Sequence, residues 1–123
     1  MELLTDIQKE RLKNFVIFVI DKLDIEKAPK IIIQNGRKAL KTTANYDYTK
    51  DEKVIRVNGK NRMVVDIMRS IAHELVHHKQ FEDGQLDGPK PQDIGGKIED
   101  EANAKAGQFI KLYSKMDSAL YDE

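Results

Sequence analysis

Five residues constrain this chain more than any others: His73-Glu74-Leu75-Val76-His77. The two histidines are four positions apart, just over one helical turn, so they project from one side only if the backbone is α-helical. On such a helix the imidazoles stand close together and offer two of the four ligands of a tetrahedral zinc ion. Glu74 lies about 100° round the helix from His73, near enough to take a proton from water on such an ion. All three histidines of the protein fall between His73 and His78. A fold built round this segment must bury one face of a helix and leave the opposite face lining a cleft. The bland alternative is a helix that happens to carry surface histidines.

The flanking residues meet that demand. Over a helix running from about Asn61 to Phe81, Val64, Ile67, Met68, Ile71 and Leu75 cluster on one side. Asp66, His73, His77 and Gln80 cluster on the other. His78 points about 100° from His77, toward the apolar side, so it is expected to pack or to support the ligands from behind. Asp83-Gly84 ends the helix.

Composition narrows the rest. The chain has 123 residues, enough for one domain with one modest core. Hydrophobic residues make up 40% and charged residues 34%, the balance of a globular domain. The formal net charge is zero, so no basic footprint argues for nucleic acid. The absence of cysteine excludes disulfides, thiolate zinc ligands and a thiol nucleophile, and fits a reducing cytoplasm. The longest apolar run, Phe15 to Ile20, is too short to span a bilayer, and no secretory signal pattern opens the chain. An unprocessed intracellular protein without a membrane partner is expected.

In chain order, Thr5 or Asp6 can cap a helix ending near Leu23, with Ile7, Leu12, Phe15, Val16, Val19, Ile20 and Leu23 at helical spacing. Pro29 ends that element and Lys30 to Gln34 reads as a short strand closed by the Asn35-Gly36 turn. Ala39 to Tyr48 and Val54 to Val57 read as a hairpin with the polar tip Thr49 to Glu52, closed by Asn58-Gly59. Gly84 to Gly96 is a loop, either at the cleft rim or a plain connector, and a last helix spans about Gly96 to Leu120. The expected class is α+β, with a small two- or three-stranded sheet between the first helix and the histidine helix.

A catalytic zinc ion needs a third protein ligand and an open position. Without cysteine or a fourth histidine, that ligand is a carboxylate. The last helix carries an apolar stripe of Ile98, Ala102, Ala106, Phe109, Ile110, Tyr113, Met116 and Leu120. Glu99 flanks the stripe, whereas Glu101 points about 140° from its centre, where Lys105 can pair with it. A carboxylate at the margin of a buried face needs a partner, which favours Glu99 and leaves Glu101 as an alternative. Ala102 and Ala106 would let the two helices approach closely. Asp83, six residues after His77, is a further alternative, but Gln80 stands where a sharp exit from the helix would want glycine.

His73-Glu74-x-x-His77 followed by Glu99-Asp100-Glu101-Ala102-Asn103 resembles the gluzincin arrangement of zinc metallopeptidases, in particular the compact ImmA/IrrE-like peptidases. Ile71 to Gln80, the hairpin before it, and Glu99 to Phe109 also resemble small predicted metallopeptidases of tailed marine bacteriophages. The likeness covers roughly the last two-thirds of the chain. It implies a minimal zincin-like fold and zinc held by His73, His77 and Glu99, with Glu74 as general base. It also implies a cytoplasmic setting in a bacterial or phage-infected cell. Asn103 stands where the family has an aspartate that hydrogen-bonds a ligand histidine; its amide can still accept that bond but brings no charge. Larger gluzincins supply an oxyanion-stabilising Tyr or His from a further subdomain, and Tyr113 and Tyr46 are the stand-ins here, although core and hairpin roles suit them better.

The expected activity is zinc-dependent peptide hydrolysis, with an extended peptide or protein substrate pairing along a sheet edge, for which Val54 to Val57 is the candidate. The alternative is a catalytically weak or inactive metal-binding or interaction module. A structural protein without metal is the third reading.

Overall fold

The computed structural model describes residues 4–34, 44–60, 62–85 and 96–116. The Asn35-Gly36 turn, the start of the hairpin before Ala44, Asn61, most of the loop before Gly96, and Leu120 lie outside the described residues. The protein is α+β, and the described residues form three helices and a three-stranded mixed sheet.

Helix α1 spans Asp6–Leu23 and opens with a capping box in which Thr5 and Gln8 satisfy each other's backbone N–H. Leu12, Phe15, Val19 and Leu23 form its buried face; Ile7, in the first turn, is exposed. The helix stops at Asp24, whose φ of 56° is left-handed. Strands β1 (Lys30–Gln34), β2 (Ala44–Asp47) and β3 (Val54–Asn58) follow. β2 and β3 are antiparallel, as a hairpin requires, and β1 runs parallel to β3 on its other side. β3 is therefore the central strand, which corrects the expectation that Val54 to Val57 forms a sheet edge. The local pattern of a hairpin does not reveal that β1 returns to cover its second strand. Val54, Ile55, Val57 and Asn58 are buried accordingly. Gly59 leaves β3 beneath Ile33, so close that a Cβ there would lie 2.8 Å from Ile33 Cγ2.

Helix α2 spans Val64–Glu82 and runs through the middle of the molecule, packed by α1, α3 and the sheet. Val64, Ile67, Met68, Ile71 and Leu75 are buried as their spacing predicts. It starts three residues later than expected, because Arg62 reaches forward to the Asp66 carbonyl and back to that of Asn58, tying β3 to the helix. Helix α3 spans Lys97–Ser114 and packs on α2 through Ala102 and Ala106, both buried. Phe109 and Tyr113 meet Phe15 and Phe18 of α1 edge-on or tilted. The helix ends before Met116, which is exposed rather than part of the stripe. Among the described residues no helix is long and apolar enough to cross a membrane.

Candidate metal centre

α2 and α3 cross where their small and polar residues meet, and there His73, His77 and Glu99 converge. The two Nε2 atoms are 3.2 Å apart, and the rings stand nearly perpendicular. The Glu99 carboxylate straddles the pair, with Oε1 3.2 Å from His73 Nε2 and Oε2 3.0 Å from His77 Nε2. With one ligand atom counted per residue, all three lie within 4.8 Å of one another, close enough to bind a metal ion. Ligands of a tetrahedral ion with bonds of about 2.0–2.1 Å stand about 3.3 Å apart, so the imidazole spacing fits such an ion.

The hydrogen bonds behind His77 show which of its nitrogens is available. Gln80 Nε2 donates to the Ile98 carbonyl at 3.1 Å and to Glu101 Oε1 at 2.8 Å. Those two acceptors orient the amide so that Gln80 Oε1 faces His77 Nδ1 at 2.8 Å. An amide oxygen accepts only, so Nδ1 donates to it, and Nε2 is the ring nitrogen left to face α3. It faces a second imidazole nitrogen and a carboxylate. Nitrogen and oxygen donors gathered this closely suit a cation set among them.

A proton does not serve at His73. Burial, and then the neighbouring His77, hold its pKa below the ordinary 6.5, outweighing the upward pull of Glu99 and Asn103. His73 is therefore neutral at pH 7, the form that ligates metals. Asn103 hydrogen-bonds the His73 side chain.

Glu74 is buried, and with His73, Asn103, Arg62, Ser70 and Ala44 it borders a cleft of about 310 Å³ beside the convergence. Arg62 is fixed as part of that wall by its bond to Ser70 Oγ at 2.7 Å. The base candidate thus shares an accessible space with His73, one of the ligand candidates.

The other candidates sit elsewhere. Glu101 forms its ion pair with Lys105 at 3.2 Å and accepts from Gln80, so it steadies His77 from one residue away. Those hydrogen bonds, Gln80's first, hold its carboxyl below the ordinary value. Asp83 pairs with Lys79 at the helix end. His78 is buried behind the ligands, its Nδ1 2.6 Å from the Tyr46 hydroxyl and its Nε2 2.7 Å from the Lys27 carbonyl. Tyr46 is thereby engaged with His78, and Tyr113 packs in the aromatic cluster with α1, so neither stands at the cleft. Sequence reasoning placed Gln80 on the ligand face but missed its bond to His77; the three-residue spacing was the signal. Nothing local signalled Arg62 and Ser70 as cleft residues.

No protein-family model, curated protein or solved structure matches the chain.

Proposed function

We propose that the chain is a zinc-dependent peptidase of gluzincin type. The observation that carries this reading is the meeting of two imidazole nitrogens and a carboxylate next to a cleft that His73 and the buried Glu74 both line. Two histidines and a glutamate form a donor set suited to zinc. When bound, zinc lowers the pKa of a coordinated water toward neutrality and polarises a scissile carbonyl.

The chain's own residues supply the rest. His73, His77 and Glu99 would hold the ion; Gln80 orients His77, and Asn103 supports His73. Glu74 takes the proton of the attacking water and delivers it to the leaving amine nitrogen. Among the described residues β2 is a sheet edge, and its Ala44 borders the cleft, so an extended peptide laid along β2 would bring a carbonyl to Glu74 by main-chain pairing. A cysteine-free chain suits a reducing cytoplasm, and we place the activity there.

Glu74→Gln is the decisive variant. It keeps the side chain's shape and all three ligands, so stoichiometric zinc is expected to remain while peptide cleavage falls at least about a hundredfold. Unchanged turnover overturns the mechanism. The uncharged Asn103 favours the second reading, a metal-binding module of low activity. Stoichiometric zinc with no cleavage across a broad peptide screen would select that reading.

A further inference from the structure

We infer that the outer edge of β1 and the groove beside it bind an extended segment of a partner protein, with apolar side chains at alternate positions and acidic residues flanking them. Among the described residues β1 pairs only with β3, so its other side is a sheet edge there. Lys30 donates its N–H to the Lys53 carbonyl at 2.9 Å, and the Gln34 carbonyl accepts from Gly59 N–H at 2.7 Å. In a parallel ladder the two polar groups of a residue point the same way and successive residues alternate. Lys30, Ile32 and Gln34 therefore face β3, and Ile31 and Ile33 turn their N–H and C=O groups outward, forming a template for an added strand.

The side chains of the same two residues form part of the adjoining pocket. Ile31 and Ile33, with Val16 and Ile17 of α1, line an aliphatic groove of about 350 Å³. Ile17 is 56% exposed, unusual for isoleucine on a helix face that adjoins the core. A strand added to β1 would direct every second side chain into this groove.

Charge selects the occupant. Lys9 and Lys13, one turn apart, stand exposed on the groove's rim, and among the described residues no ion pair engages either. Lys30 is exposed at the start of the strand. A second copy joined through β1 would bring like charges together at the seam, whereas acidic residues beside the apolar ones would neutralise them. The surface is independent of the metal centre, because the cleft adjoins β2 at the opposite edge of the sheet.

The probe is an octapeptide whose odd positions, all on one strand face, read glutamate, valine, valine, glutamate, with threonine at the even positions, compared with its counterpart carrying lysine for glutamate, on the whole protein. Residue-resolved amide hydrogen exchange is expected to show protection of Ile31 and Ile33 on addition of the acidic peptide. The lysine peptide should bind at least about tenfold more weakly. Lys9→Glu combined with Lys13→Glu, both surface changes, should reverse that preference without altering zinc content. Equal binding of the two peptides, no binding, or protection at β2 instead overturns the inference. So does slow exchange at Ile31 and Ile33 before any peptide is added: in a sedimenting dimer it assigns the edge to a second copy, and in a monomer to the chain itself.

Discussion

Gln80 holds His77 with its carbonyl while its amide is held by Ile98 and Glu101, so Gln80→Leu frees His77 to rotate and change tautomer. Losing such a supporting hydrogen bond weakens metal sites about 10- to 100-fold. Competition against a chromophoric chelator is expected to show that loss in the Gln80→Leu protein, with its helical content unchanged. His73 adds a pH dependence whose sign follows from its lowered pKa. Below pH 6.5 the unfolded chain takes up a proton at this residue before the folded protein does. Metal-free protein should therefore hold a level urea midpoint above pH 6.5 and lose stability as the pH falls through the folded pKa. His73→Gln is expected to shrink that acid-side loss. At this scale the sequence was most informative: helical phase put His73 and His77 on one face and favoured Glu99, and the structure brings these three together. The Gln80 bond was not, because its orientation depends on acceptors 18 and 21 residues away.

The elements followed their local signals closely. Thr5 and Gln8 announce the start of α1, and the β-branched run after Pro29 announces β1. Asp24 ends α1 in a left-handed conformation that L-residues adopt at a cost. Asp24→Gly should relieve that strain and raise the unfolding free energy by about 0.5–1 kcal/mol in chemical denaturation, after the added freedom of the unfolded chain is offset. Gly59→Ala goes the other way. Its methyl would press on Ile33 Cγ2, a branch atom close to the backbone that cannot swing clear, and on Ile67 Cδ1 at 3.5 Å. A loss of about 1–3 kcal/mol is expected, and a wild-type midpoint would show that β1 yields there. The edge assignment failed at this scale, since strand order depends on which segments meet, and β1 and β3 are separated by the whole of β2 and its connections.

Across the molecule, α2 and α3 are joined by small-residue packing and by the ligand triangle, so a metal ion would act as a clamp between them. A ligand at a thousand times its Kd stabilises the folded state by about 4 kcal/mol. Calorimetry with saturating zinc should raise the melting temperature by roughly 10 °C or more, chelator should reverse the rise, and Glu99→Ala should abolish most of it. An unchanged melting temperature on adding or removing zinc would instead support a fold indifferent to metal. What the sequence determined by itself was everything written in periodicity: three helices, the strand segments, and one face bearing His73 and His77. Phase could also favour Glu99 over Glu101, because a helix turns by a constant angle. Tertiary structure alone decided that β3 lies between β1 and β2, that Gln80 sets the His77 tautomer, and that Arg62 and Ser70 wall the cleft. Each of these depends on distances between segments remote in the chain, and a short-range pattern carries no information about which remote segments will touch.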